Sequence, residues 1–554
     1  MGRGSKAGAA AAGAALAGIT AYDVLQKRHA ILRNFPIAGH FRYLLESVGP
    51  ELRQYIVTSN DEERPFSRDQ RRWVYASSKR EVNTFCFGTD NDLESGPGLL
   101  VMKHQPFPQG APADGTIGSG PEYLIPCPKV LGARHGRRHA FRPQSVVNVS
   151  GMSYGSLSPP AVEALNRGAA AAPCLHNTGE GGLAPAHRHG GELVFQVGTG
   201  YFGCRDLDGR FSLERLCEVV ADAPVRAIEI KLSQGAKPGL GGMLPAAKVT
   251  PEIARIRGVR EGEDCVSPAR HAAFSNVDEL IEFVERIADA TGLPVGVKSA
   301  VRRQGFWDEL AVKMRSRGGG PDFLTIDGAE GGTGAAPLAF SDHVALPFKL
   351  GFSRVFTAFA EAGLHEDVVF IGSGRLGLPD QAVFAFALGC DMVNVGREAM
   401  LAIGCIQAQR CHTGGCPTGV ATQNRWLMHG LDPKVKHARA ANYVRALRGE
   451  LLSLSRTMGV RHPALLCPDH LELVAEGYET SRVEDVFGYD PAWRRLDPDR
   501  VAVIEDLLGP PGAVPIPGPE SGPIAGDESG GSEGSEDRGV ADPGGAGGMS
   551  SGGD

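Results

Sequence analysis

From about Arg142 to Cys467, short apolar runs alternate with segments in which apolar residues recur every three or four positions. The runs "SVVNVSG", "AIEIKLSQG", "LPVGVKSA", "DFLTIDGAEGG", "VVFIGSG" and "MVNVG" have the length and β-branched content of buried strands. The segments "VEALNRGAAAA", "FWDELAVKMRSR", "PDQAVFAFALG" and "REAMLAIGC" carry the helical period. Strand followed by helix, many times over, predicts a parallel α/β fold, with a (β/α)8 TIM barrel preferred to an open sheet.

Outside this region the pattern changes. Residues 1–24 run uncharged and Ala/Gly-rich from Ala7 to Tyr22, short of the ~20 strongly apolar residues of a membrane-spanning helix. A flexible tail or a weak membrane anchor is expected there. Residues 25–140 join an amphipathic start, "HFRYLLESVGPELRQYIV", to a Pro-punctuated stretch and are expected to form a covering subdomain. The barrel domain is placed at 141–470 and a C-terminal helical segment at 471–508. Residues 509–554, rich in Gly, Pro, Ser and acids with almost nothing to bury, are predicted to be disordered.

Composition narrows the function. At 554 residues the chain exceeds one typical core, and a net charge of -7 with 22% charged residues gives no basic footprint for nucleic acid. Eleven cysteines, an odd number in a long chain, point to reduced thiols in the cytoplasm and open a metal or redox role.

Many of the glycines fall just after the strands, where a barrel gathers its active site. "NVSGMSYGS" supplies Ser150, Gly151, Met152 and Ser153, and "NTGEGG" supplies Glu180. The later turns "GGTG" (Gly331, Gly332, Thr333, Gly334), "GSGR" (Gly372, Ser373, Gly374, Arg375) and "VGRE" (Gly396, Arg397) suit a phosphate, because glycines let backbone N–H groups approach an anion. The phosphate of FMN is the natural guest. Taken singly, each turn is also an ordinary βα connection.

In "GCIQAQRCHTGGCPTGVATQ", Cys405, Cys411 and Cys416 follow C-x5-C-x4-C, neither the zinc-finger nor the ferredoxin spacing. Three thiolates match a [3Fe-4S] cluster. A Cys3His zinc site with His412 competes poorly, since a ligand adjacent to Cys411 has little room to reach the same metal. Incidental cysteines are the remaining alternative.

This stretch closely resembles the cluster-binding segment of glutamate synthase. So do "GMSYGSLS", "TGEGG", "QVGTGYFG", "KLSQGAKPGLGGMLPAAKVTPEIARIR" and "DGAEGGTGA", in matching order from about Asn148 to Gln423. Stand-alone FMN-binding glutamate-synthase-family proteins are similar in length and layout. The resemblance implies an FMN barrel beside a [3Fe-4S] cluster that passes single electrons to the flavin. Reduced FMN would transfer hydride to 2-iminoglutarate, formed from 2-oxoglutarate and ammonia, giving L-glutamate. Arg257 stands at the position matching the family's substrate-binding arginine.

The residues agree with that chemistry. A dicarboxylate needs fixed cations, and "KLSQGAKPG" offers Lys231, Gln234 and Lys237 in one loop. Glu180 is placed to orient ammonia or shuttle a proton, and Lys298 to stabilise the flavin N1/O2 edge. Each of these side chains alone could equally be a solvated or turn residue or half of an internal ion pair.

Departures from the large enzymes count as well. The first cysteine is Cys86, so no amidotransferase nucleophile is expected, and ammonia would be free or come from a separate amidotransferase subunit. A ferredoxin or separate reductase subunit is expected as electron donor. "SPARHAAFSN" and Glu330 differ from the usual pattern and leave the substrate open. Two alternatives therefore stand: an FMN subunit of a methylamine-glutamate N-methyltransferase-like enzyme, or a non-enzymatic flavin and iron–sulfur electron carrier.

Overall fold

The computed structural model describes residues 3–26, 30–57, 61–89, 91, 93, 98–109, 124–475, 479–494 and 496–508. The segment expected to be disordered, 509–554, lies outside the described residues. Eight parallel strands close into a barrel: β1 (Val147–Val149), β2 (His176–Asn177), β3 (Leu193–Val197), β4 (Val225–Lys231), β5 (Val295–Ala300), β6 (Phe323–Asp327), β7 (Val369–Ser373) and β8 (Met392–Val395). They pair in chain order, and β8 closes on β1 with Asn394 beside Asn148. Strands β3, β5, β6, β7 and β8 are buried along their whole length, as strands with side chains on one face and helices on the other must be. The helices between them start where the sequence supplies caps. Ser158 accepts from Ala161 N ahead of Pro159–Ala171, and Asn276 accepts from Glu279 N ahead of Val277–Thr291.

The lower end of the barrel is plugged by Cys127, Leu131 and Phe141, which pack against residues at the starts of strands, among them Leu175, Phe323 and Met392. The opposite end therefore holds the mouth. Between β4 and β5 the chain makes an excursion over it, pinned by a two-stranded hairpin of Met243–Leu244 with Cys265–Val266.

The covering segment begins with α1 (Arg3–Leu25), α2 (Ala30–Asn34) and α3 (Ala38–Leu52). No helix among the described residues is long and apolar enough to cross a membrane. Next comes α4 (Arg68–Lys79), opened by a Ser67–Gln70 capping box and packed on the long helix Pro433–Thr457, where Trp73 Nε1 donates to Glu450 Oε1 at 2.7 Å. Residues 471–508, expected to be helical, instead begin with strands Leu471–Val474 and Thr480–Arg482, which form an antiparallel sheet with Leu100–Met102 before the helices resume. The polar periodicity of so short a pair is too brief to read against the flanking helices.

The covering segment also grips the cysteine loop. Arg71 and Glu63 form an ion pair, each side chain only 6% exposed. Gln407 donates to Glu63 Oε1 at 3.1 Å and to Phe66 O at 3.1 Å, and Tyr75 donates to Cys405 O at 2.8 Å. Glu63→Ala would leave the Arg71 charge buried without its partner. It is expected to destabilise the protein by about 3–5 kcal/mol in urea unfolding; a loss below about 1 kcal/mol would contradict this role.

Candidate active site

The C-terminal ends of the strands bring the expected catalytic residues together. Glu180 follows β2, and Lys231 ends β4 with its Nζ 3.3 Å from Glu180 Oε1 and 2.6 Å from Gln234 Oε1. Gln234 reaches on to Thr333 Oγ1 at 3.0 Å, tying the loop after β4 to that after β6. Burial alone would raise the Glu180 carboxyl, but the Lys231 and Arg257 cations, joined by Lys237, hold it below the usual carboxylate range. Burial lowers the Lys237 ammonium, Lys231 adds to that, and Glu180 opposes it. Lys237 Nζ donates to Ala335 O at 3.1 Å.

Arg257 is buried at 4% exposure. Its Nη2 donates to Tyr154 O at 2.7 Å and its guanidinium lies 5.0 Å from the Phe202 ring centre, while Nε is buried with no hydrogen-bond partner. Lys298, on β5, lies 3.8 Å from Asp327 Oδ2, and that oxygen also accepts from Gly235 N at 2.8 Å.

The glycine turns surround this cluster. Ser150 follows β1 and lies against Gly396, and a side chain at Gly151 would meet Asn177 Oδ1 at 2.7 Å and Gln196 Nε2 at 2.9 Å. Met152 and Ser153 pack their backbone on the turn after β2. Gly331 sits over the Asp327 carboxylate, Gly332 lies against Arg397, and Gly334 faces open space. Gly374, at φ 117°, takes a backbone conformation that favours glycine and passes close to Gly328 N. Gly372 is different: its missing side chain would point at Leu376, Cys390 and Phe348, into the helix layer rather than the mouth. Ser373 is buried at the end of β7.

Arg375 and Arg397 meet around Phe66 from the covering segment, their guanidinium carbons 5.6 and 5.1 Å from its ring centre. Burial, then repulsion from Arg397, lowers the Arg375 pKa, and its Nε is buried without a hydrogen-bond partner. Two neighbouring cations, one of them with a buried unsatisfied donor, make this corner of the mouth a cradle suited to an anion.

Sequence reasoning missed the floor and one wall. Glu229, 1% exposed within β4, accepts from Asn177 Nδ2 at 2.7 Å, Gln196 Nε2 at 2.6 Å and Thr325 Oγ1 at 2.6 Å. A lone acid inside "AIEIKL" was the available signal, because a buried carboxylate must find donors. The wall is His271, from the divergent "SPARHAAFSN", bonded to Lys231 O at 2.9 Å and to the Tyr201 hydroxyl at 3.2 Å.

Cys405, Cys411 and Cys416 occupy one loop after β8 and are close enough to influence one another electrostatically. Burial, then Cys411 and Cys416, pushes the Cys405 thiol up to about 12, against a backbone hydrogen bond from Gln407. Burial would raise Cys416 too, but donors from Ala421, Thr418 and Val420 hold it below the ordinary thiol value. Lys248 anchors the loop through Cys411 O at 2.8 Å and Ala421 O at 3.1 Å. No group of three His, Cys, Asp or Glu side chains among the described residues has converged into metal-holding geometry.

Burial pushes His271 from 6.5 down to about 4. Between those values the unfolded chain binds a proton that the folded chain refuses, so stability falls as pH drops through the window. His271→Gln removes that contribution. Its stability loss from pH 7 to 4.5, read by urea midpoints, is expected to be smaller than the parent's by about 2–3 kcal/mol; equal losses would contradict a neutral, buried His271.

The family model described as the conserved region in glutamate synthase matches residues 131–461. The glutamate synthase large subunit-like protein YerD of Bacillus subtilis (strain 168) is 37% identical over 478 residues, covering 81% of this chain and 90% of that one. An archaeal glutamate synthase (NADPH) of Methanocaldococcus jannaschii is 36% identical over 317 residues, 57% of this chain and 59% of its own length, so less than two thirds of that relative is matched. Among solved structures, a flavocytochrome b2 double mutant with sulfite bound aligns at TM-score 0.40 and 14% identity over 82% of this chain and 90% of that one, a likeness that carries no functional weight. With the family match spanning the whole barrel and the cysteine loop, the chain belongs to the glutamate synthase family.

Proposed function

We propose that this chain is a glutamate synthase-type oxidoreductase that binds FMN at the barrel mouth and forms L-glutamate from 2-oxoglutarate and ammonia. The observation that carries the proposal is the buried Glu180 carboxylate ringed by Lys231, Lys237 and Arg257 beside the glycine turns. FMN fits the residues present: Arg375 and Arg397, with unsatisfied Arg375 Nε, would hold its phosphate, and Gly151, lacking a side chain, lets the backbone after β1 pack directly on the Asn177 and Gln196 amides at the mouth. Lys298 would lie at the ring's edge. Bound FMN supplies a two-electron hydride donor.

The chain's own residues would do the rest. Arg257 and Lys237 would take the substrate carboxylates, since an anion there satisfies the orphaned Arg257 Nε. Lys231, already hydrogen-bonded to Gln234 and paired with Glu180, is placed to give a proton to the carbonyl oxygen as it departs as water. Glu180 would accept, in turn, the two protons that the ammonia nitrogen sheds and return them through Lys231 to the oxygen that leaves as water. The excursion between β4 and β5 would shield the imine from hydrolysis.

The donor set of the cysteine loop suits a [3Fe-4S] cluster, with Cys405, Cys411 and Cys416 as ligands and single-electron transfer as its chemistry. A ferredoxin or separate reductase subunit would be the donor, and free ammonia or a separate amidotransferase subunit the nitrogen source.

The test uses anaerobically purified protein reduced with dithionite. Addition of 2-oxoglutarate and ammonium is expected to reoxidise the flavin and yield glutamate; flavin that stays reduced would overturn the proposal. Arg257→Ala is expected to raise KM for 2-oxoglutarate about 100-fold, the scale of a lost charge-assisted pair. Arg375→Gln is expected to weaken FMN retention about tenfold or more in ultrafiltration, and unchanged retention would remove Arg375 from the phosphate site.

A further inference from the structure

The N-terminal arm carries apolar side chains that nothing among the described residues covers. On α3, Phe41, Leu44, Leu45, Val48 and Leu52 recur with the spacing of one helix face, yet they are 64%, 56%, 45%, 39% and 39% exposed. An amphipathic helix in a globular protein buries this stripe against its own core; here the stripe meets solvent. Helix α1 adds Leu16, Ile19 and Tyr22 at 50%, 44% and 68% exposure.

The two helices are fastened together. Asp23, fully buried near the end of α1, accepts from Ile37 N at 3.0 Å and pairs with His40 Nε2 at 3.0 Å, at the start of α3. The arm then ends on the cysteine loop, where the Tyr55 hydroxyl donates to Ile406 O at 2.8 Å.

Charge identifies what would cover this face. Residues 1–57 contain seven lysines and arginines against three acidic residues, whereas the whole chain has 57 against 64. A basic arm with an exposed apolar stripe on an acidic protein matches an interfacial helix on anionic lipid. A second copy would set the same excess of positive charge against itself. We propose that the arm binds the surface of a bilayer containing anionic headgroups, with α3 lying in the interface and its Phe41–Leu52 stripe in the acyl region. The helices do not cross the bilayer, in keeping with their length and apolarity.

The experiment is flotation of the purified full-length chain with vesicles of phosphatidylcholine alone and of phosphatidylcholine with a minority of phosphatidylglycerol. The chain is expected to float with the anionic vesicles, and about tenfold or more weakly with neutral ones or at high salt. Leu44→Asp with Leu45→Asp is expected to cut anionic-vesicle binding about tenfold or more, with flavin content and urea midpoint unchanged. Val48→Asp, on the same stripe, repeats the test should the double variant misfold. Absence of flotation in the parent would overturn the proposal, as would flotation unaffected by the substitutions. A dimer seen by light scattering that the double variant dissociates, without vesicle binding, would assign the stripe to a second copy instead.

Discussion

A carboxylate buried inside a protein must be compensated, and Glu180 is compensated by three cations drawn from distant parts of the chain. Lys231 ends a barrel strand, Lys237 sits in the following loop, and Arg257 ends a helix of the excursion over the mouth. The closed parallel barrel puts the ends of β2 and β4 on one rim, where a long loop folds back over them. The cluster holds more positive than negative charge, with Arg257 Nε unsatisfied. On the proposed function an anionic substrate would complete that balance, so site geometry and substrate class are one problem here.

The same logic extends outward. Glu229 organises the floor by collecting the amides of Asn177 and Gln196 and the Thr325 hydroxyl, so a single buried charge fixes three side chains from three other strands. On the far side, Phe66 is shared by Arg375 and Arg397, and the Glu63–Arg71 pair holds Gln407 beside Cys405. The covering segment thus completes both the anion cradle and the cysteine loop, and connects them through one short stretch of chain. Its helical arm, anchored at its end through Tyr55, leaves the apolar stripe of α3 exposed.

Much of this was legible in the sequence because it rests on local pattern. Six strands stood out as apolar runs, and the turns that follow them named Lys231, Lys237, Arg375 and Arg397, while the glycine-flanked "TGEGG" named Glu180; the barrel gathers all five at its mouth. Strand β2 escaped because two residues cannot display a period, and β3 because its buried run was read only as part of a glycine-rich motif. Which way Gly372 faces was not legible: its side-chain position turns toward Leu376, Cys390 and Phe348, a distinction that depends on the facing of a strand residue. His271 and Tyr201 meet only through tertiary folding, and no spacing rule joins residues 70 apart.

On the proposed function, the cation cluster reads a dicarboxylate beside bound FMN. Titration of the FMN-loaded oxidised chain with 2-oxoglutarate, and separately with the monocarboxylate 2-oxobutyrate, tests it through the visible flavin spectrum. A saturable change with 2-oxoglutarate, and binding of 2-oxobutyrate weaker by about 100-fold, is the result expected from loss of one buried carboxylate contact. Equal responses to the two acids, or no response to either, would contradict it.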